Sequence, residues 1–266
     1  MEPTRFVGLG PDSIDKYRVA DGLISMIMKM ANGALTGTGR VAGWPQRYVW
    51  FDVTAGPAFH PSIDCEGTPP IAMRHLAKMK VETYAVFIEG WPATYQSLEH
   101  EMVARFGTPD GNYRLVRGDS VELAAGLLQQ APRSRLGGII IDPNGEVDFD
   151  LLAQLVCLRG RKDYDLVVYA SATTLKRARR ARETANNGGD TRLLIDLLAP
   201  CHKKLWIIKK PSGGAQQWSW LVGTNWESMP AWRKAGFEPI TTALGQQYLA
   251  RLTYTDGERQ HRLELD

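Results

Sequence analysis

A chain of 266 residues with 44% hydrophobic content can bury one large core or at most two small ones. No apolar run approaches the roughly 18 residues that cross a bilayer, and Met1-Glu-Pro-Thr-Arg5 lacks a signal-peptide core. A cytoplasmic protein with no membrane partner is expected. The widely spaced Cys65, Cys157 and Cys201 form neither a CxxC pair nor an even disulfide framework, so free thiols and no metal are expected.

In chain order, residues 1–15 read as an irregular arm. A helix from Lys16 to Met30, capped by Asp12 or Asp15, follows and stops at Ala31-Asn-Gly33, and a Gly-rich loop runs to Gly43. Arg47 to Val53 is the first core strand, apolar enough to be buried on both faces. Pro57 to Thr68 is a loop, and Pro69-Pro70 open a helix that ends near Met79. Strands follow at 83–88, 113–117, 138–141, 166–169, 204–209 and 218–224. Helices lie at 93–106, 120–130, 149–158, 175–185, 191–198 and 229–235. Gln247 to Thr253 and Arg259 to Leu265 read as a hairpin around Thr255-Asp-Gly257.

This alternation predicts an α/β, Rossmann-like fold with a seven-stranded, mostly parallel sheet and helices on both faces. It forms one domain, 1–266. Its parts are an arm and helix (1–45), a ligand-binding core (46–171), a basic helical insertion (172–203) and carboxyl-terminal strands (204–266).

Four of the strands end in polar signatures, which places a ligand site along the carboxyl edge of a parallel sheet. After the first comes Asp52-Val-Thr54-Ala55-Gly56-Pro57-Ala58. Its small residues let backbone N–H groups approach a ligand, and no Walker lysine is present to hold a phosphate. Glu89 ends the second strand, where a carboxylate can accept ribose hydroxyls; it lies 37 residues after Asp52, so the segment between them contains an insertion. Gly118-Asp119 ends the third. Asp119 is an acceptor for an adenine amino group, the N-cap of the helix starting at Ser120, or both. Asp142-Pro143-Asn144-Gly145 ends the fourth. It reads either as a plain turn or as a site where the Asp142 carboxylate and Pro143 carbonyl accept N–H bonds from one amino group and hold its lone pair in line. This order of strand ends fits an S-adenosylmethionine (AdoMet) methyltransferase better than a nucleotide hydrolase or a dehydrogenase.

The net charge of +3 hides an uneven distribution. Between Arg159 and Lys210 there are 13 Lys/Arg against 5 Asp/Glu. Lys176, Arg177, Arg179, Arg180 and Arg182 put five cations in seven residues of one helix. The stretch is either a solvated face or a phosphate-binding face. Trp218, Trp220, Trp226 and Trp232 follow it, as core residues or, for one of them, as a stacking partner for an extruded base.

The Lys16 helix, Asp52 to Pro57, Gly67-Thr-Pro-Pro-Ile-Ala-Met73, Gly118-Asp119 and Ile141 to Gly145 resemble the three-Cys-motif partner proteins. More distantly they resemble adenine-N6 methyltransferases of DNA and ribosomal RNA. The resemblance spans about residues 16–225 and implies the class I methyltransferase fold. It implies AdoMet held by Lys16, Asp52, Thr54, Ala55, Gly56, Pro57, Glu89, Gly118 and Asp119, with Asp142, Pro143 and Asn144 facing the target amine. Ala58 stands where a second glycine is common. Asn144-Gly145 replaces the usual proline–aromatic pair, so Phe149 or a tryptophan would have to supply the stacking ring. The expected activity is methylation of adenine N6, in DNA rather than RNA, with relaxed sequence specificity as in a phage or mobile-element enzyme. The alternatives are an RNA methyltransferase and a non-catalytic partner subunit or nucleic-acid clamp of the same fold.

Overall fold

The computed structural model describes residues 11–37, 45–109, 111–143, 145, 147–158, 160–185, 194–213, 217–227 and 232–255. The chain divides into two compact units, residues 1–141 with 155–165, and 142–154 with 166–266.

In the first unit, α1 (Pro11–Thr36) precedes β1 (Arg47–Asp52). A small antiparallel hairpin follows, β2 (Phe59–His60) with β3 (Cys65–Glu66), and then α2 (Thr68–Leu76). Next come β4 (Glu82–Glu89), α3 (Pro92–Phe106), β5 (Tyr113–Arg117), α4 (Ser120–Gln130) and β6 (Leu136–Ile141). The strands lie side by side in the order β6-β1-β4-β5, and every neighbouring pair is parallel. From β1 the chain moves outward through β4 to β5, then returns to place β6 on the other side of β1. The order therefore reverses between β1 and β6, and the crevice at the carboxyl ends there is the ligand position of an open α/β sheet. Within β1, every residue from Tyr48 to Asp52 is buried, as a central parallel strand requires. Two glycines of β6 make room for large rings, one of them from β1. A Cβ on Gly138 would lie 2.4 Å from the Trp50 ring, and one on Gly137 2.4 Å from Tyr164.

Helix α1 is longer than its sequence suggested. Asp15 does not cap it but lies inside it, exposed and paired with Arg18 at 3.2 Å. Gly33 does not end it either. Leu23, Ile24, Ile27, Met28, Ala31 and Leu35 are all buried, and this continuous stripe carries the helix past the glycine. The expected loop at 57–68 contains the β2–β3 hairpin.

At the amino end of the sheet the first unit buries a cation. Arg161 donates to the carbonyls of Leu128 (2.9 Å), Ala131 (2.9 Å) and Pro132 (3.2 Å), and to the Tyr164 hydroxyl. It thereby closes the carboxyl terminus of α4, where exposed carbonyls and the helix dipole favour a positive charge.

In the second unit, Asp148 caps α5 (Phe149–Cys157) by accepting the Leu151 N–H at 2.8 Å; the division between units falls inside this helix. Then come β7 (Asp165–Ser171), α6 (Ala172–Ala185), α7 (Leu194–Leu198), β8 (Leu205–Lys209), β9 (Trp218–Thr224), β10 (Phe237–Pro239) and α8 (Ala243–Thr253). The strands run in the order β10-β8-β9-β7, all neighbours antiparallel. The seven expected strands are all present, joined by β10 and the β2–β3 hairpin. The fold is mixed α/β and Rossmann-like.

Two expectations fail here. Gln247 to Thr253 is not a hairpin strand but the body of α8. Its Ala, Leu, Gln and Arg content favours helix, Thr242 caps it by accepting the Gly245 N–H at 3.1 Å, and Leu249 and Leu252 bury one face. The other half of that hairpin, Arg259 to Leu265, lies outside the described residues. The expected helix at 229–235 is, over its described part, a succession of turns ending at Gly236.

Candidate functional site

Past Asp52, the backbone of β1 stays bound to both neighbouring strands. The Val53 N–H donates to the Ile140 carbonyl of β6 (3.0 Å), and the Ala55 N–H to the Ile88 carbonyl of β4 (2.8 Å). The turn therefore sits in the mouth of the sheet. Asp52 is fully buried. Its Oδ1 accepts the Thr54 N–H at 3.2 Å, and its Oδ2 accepts the Thr68 hydroxyl at 2.6 Å. Thr68 is also 3.3 Å from the Ala55 carbonyl, so the first residue of α2 braces both the carboxylate and the turn.

Gly56 has φ +67°, a left-handed backbone that favours glycine. That conformation aims its N–H at Glu89 Oε2, 2.9 Å away across the gap between β1 and β4. Glu89 Oε1 accepts the Trp91 N–H at 2.7 Å. Burial pushes the Glu89 carboxyl up, and backbone N–H groups of Trp91, Gly56 and Gly90 pull it partly back. Three donors on about four lone-pair positions leave this buried carboxylate room for a further donor. On the neighbouring strand end, Gly118 N–H donates to the Glu89 carbonyl at 3.1 Å. Asp119 is exposed and caps α4, its Oδ1 accepting the N–H groups of Val121 (2.7 Å) and Glu122 (3.3 Å). The capping alternative thus holds.

Lys16 lies on α1 with its ammonium 5.3 Å from the centre of the Tyr17 ring. That ring packs on His60 of β2 at 4.8 Å. Burial, helped by the Lys16 charge, lowers the His60 pKa to about 4 and keeps it neutral. The hairpin inserted after the Asp52 turn therefore meets α1 beside Lys16.

Asp52, Thr54, Ala55, Gly56, Pro57, Glu89, Gly118 and Asp119 thus gather at the ends of β1, β4 and β5. Asp142 and Pro143 are half-buried at the start of the second unit, and Asn144 lies outside the described residues. On α6, Arg177 and Arg180 are exposed and Lys176 is half-buried. Arg179 packs its guanidinium 4.8 Å from the Tyr254 ring centre, a structural use of one expected phosphate ligand. The side chain of Arg182 is not among those described. Of the candidate stacking rings, Phe149, Trp218 and Trp220 are buried, while Trp226 and Trp232 are half-exposed. Sequence reasoning missed Thr68, His60 and Trp91. Thr68 had a signal, a hydroxyl directly before the Pro-Pro helix start.

No protein-family model and no curated protein matches this sequence. Solved structures do match. Protein LPL1258 from Legionella pneumophila superposes with a TM-score of 0.51 at 13% identity, covering 88% of this chain and 93% of its own. The METTL16 methyltransferase domain gives 0.45 at 9% identity over 83% of this chain and 71% of that one. A SAM-dependent methyltransferase from Agrobacterium tumefaciens gives 0.41 at 10% identity over 85% and 66%. At such identities the likeness is one of fold.

Proposed function

We propose that this chain is an AdoMet-dependent methyltransferase. The observation that carries the reading is the Gly56 N–H bound to the Glu89 carboxylate at 2.9 Å, between the carboxyl ends of β1 and β4, on the β4 side of the strand that borders the switch point. A dinucleotide site offers such N–H groups, and a helix N-terminus, to a pyrophosphate. Here the N–H is occupied by an anion, and the next helix, α2, begins only at Thr68. Two buried carboxylates, Asp52 and Glu89, repel a phosphate and favour a nucleoside with a cationic tail.

In this reading Glu89 accepts a ribose hydroxyl on its remaining lone pair. The turn from Asp52 to Pro57 lines the amino-acid tail, Lys16 supplies the cation its carboxylate needs, and Gly118 and Asp119 border the base. Bound AdoMet supplies an electrophilic methyl group on a sulfonium. For the acceptor we read Asp142 and the Pro143 carbonyl as the groups that accept the two N–H bonds of an exocyclic amine, and we assign Asn144 to the same role. As the nitrogen bonds to carbon it becomes acidic, and we assign the proton released to the Asp142 carboxylate. We read the acceptor as adenine N6 in nucleic acid, DNA before RNA, with Arg177 and Arg180 of α6 on the phosphates.

Methyl transfer from labelled AdoMet to unmethylated duplex DNA, with tRNA and rRNA in parallel and nucleosides identified by mass, tests this. N6-methyladenine that disappears in Asp142→Ala is expected; the substrate that carries it decides DNA or RNA. A second reading, a non-catalytic partner subunit of the same fold, is favoured by the burial of Phe149, Trp218 and Trp220, none of which offers a ring to an extruded base. AdoMet binding without transfer to any nucleic acid would select it.

A further inference from the structure

One face of α1 is bound to the segments around the acidic turn. Tyr17, Asp21, Ile24, Met28 and Asn32 recur every three or four residues and so share that face. The Tyr17 ring packs on His60 of β2 at 4.8 Å, Ile24 and Met28 are buried, and Asn32 Oδ1 accepts the Lys80 N–H at 2.7 Å, just beyond α2. Asp21 is the charged member, one turn after Tyr17. Its Oδ1 accepts the His75 Nε2–H at 2.6 Å, and the Arg74 guanidinium stands 3.6 Å away. Arg74 also meets Glu66 of β3 at 3.0 Å, and Arg105 of α3 meets the other Glu66 oxygen at 2.8 Å. Helix α2 is therefore fastened at both ends. Thr68 in its first turn holds the Asp52 carboxylate, and Arg74 and His75 in its last turn hold Asp21. Exposed ion pairs contribute little to stability, but the His75 side chain is only 11% exposed, and an imidazole so enclosed fixes where its carboxylate partner sits.

We infer that the Asp21–His75 pair, backed by Arg74, sets the position of α1 along its axis and thereby places the Lys16 ammonium for the amino-acid tail of the bound ligand. The inference rests on the proposed reading that Lys16 meets the AdoMet carboxylate. Asp21 follows Lys16 by five residues, roughly 7.5 Å along the helix. The apolar stripe of α1 fixes how deeply the helix is buried, but apolar contact is non-directional and tolerates a shift along the axis. A hydrogen-bonded ion pair does not. Asp21, His75 and Arg74 are thus positioning residues that act through Lys16. They govern the tail alone, because the nucleoside is assigned to Glu89, whose hydrogen bonds come from Gly56 and Trp91.

The test is calorimetric titration of the full chain with S-adenosylhomocysteine and with 5′-methylthioadenosine, which keeps the nucleoside and sulfur but lacks the tail. Asp21→Ala and His75→Leu are each expected to weaken S-adenosylhomocysteine binding about tenfold, the loss of one hydrogen bond to a charged group. Methylthioadenosine affinity should stay at the wild-type value. His75→Gln keeps an N–H donor and should recover most of the loss. Lys16→Met should show the same split between the two ligands. Combining it with Asp21→Ala should cost no more than Lys16→Met alone, because both act through one contact. Additive losses in the double variant, or equal losses for both ligands, overturn the inference and make the pair a general fastener of the fold. Unchanged S-adenosylhomocysteine affinity in both Asp21→Ala and His75→Leu also overturns it, while leaving the methyltransferase reading intact. A wild-type chain that binds no S-adenosylhomocysteine overturns that reading and the inference with it.

Discussion

At the amino end of the first unit's sheet, the buried guanidinium of Arg161 meets three carbonyls and a tyrosine hydroxyl, all from the fold itself. At the carboxyl end the buried charges are carboxylates, and the backbone donors on Glu89 leave it accepting capacity. Burying an ion is expensive unless its partners are supplied. Where the chain supplies them all, the charge is structural. Where it leaves one out, the missing partner comes from a ligand. The comparison predicts that perturbing one end costs stability and perturbing the other costs binding.

The largest effect is expected at the amino end. Arg161→Met leaves the Leu128, Ala131 and Pro132 carbonyls without this donor and should destabilise the fold by several kcal/mol, at about 1–3 kcal/mol for each buried acceptor left unsatisfied. Arg161→Lys should recover little, since an ammonium lacks the planar fork that spans several acceptors. Urea denaturation measures the loss. S-adenosylhomocysteine affinity of the protein that remains folded should be unchanged; a parallel loss of affinity would erase the distinction between the two ends.

Acid separates the groups further, with opposite signs. His60 is held neutral, its pKa lowered to about 4 against an ordinary value of 6.5, so the unfolded chain binds more protons between those values. Stability should therefore fall as pH drops from about 6.5 to about 4, by on the order of 3 kcal/mol in total. His60→Phe, which keeps a ring against Tyr17, should flatten that slope. The Glu89 pKa is raised, so between its ordinary and its raised value the folded state binds the proton more tightly, and stability rises as pH falls through that window. Binding moves the other way. Protonating Glu89 removes an acceptor, so nucleoside affinity should decline as pH falls, starting above the ordinary carboxylate range. Glu89→Gln should lose at least about tenfold in affinity at neutral pH and abolish that pH dependence.

The parallel core was legible because its signals are local. Short apolar strands ending in Asp52, Glu89 and Asp119 declare both burial and edge, and the Asp119 cap follows from its place before a helix. The failures have physical causes as well. Helix α1 runs through Gly33 because a buried stripe on both sides outweighs the local cost of one glycine. Helix α8 escapes a local reading of Gln247 to Thr253 because the residue that caps it, Thr242, lies outside that stretch. Thr68 and His60 act on Asp52 and Tyr17, at separations of 16 and 43 residues along the chain, so no local pattern announces them.

The smallest effect sharpens the comparison most. Gly56 and Gly107 share a positive φ, +67° and +78°, and a Cβ at either would meet nothing within 4 Å. The cost of alanine at each is therefore that of the positive-φ backbone alone, on the order of 1–3 kcal/mol, and higher at Gly107, whose ψ of −177° puts it in a region essentially confined to glycine. Gly107 ends α3, where its N–H closes the helix on Val103 at 3.0 Å. Gly56 aims its N–H at Glu89. A loss of stability in urea at least as large is therefore expected from Gly107→Ala as from Gly56→Ala. Only Gly56→Ala should weaken S-adenosylhomocysteine binding and move its pH dependence upward, because a turn that relaxes toward negative φ takes a donor away from ionised Glu89. If both variants lose affinity alike, backbone strain anywhere in the unit is enough to disturb the site, and the Gly56–Glu89 contact has no special part in it.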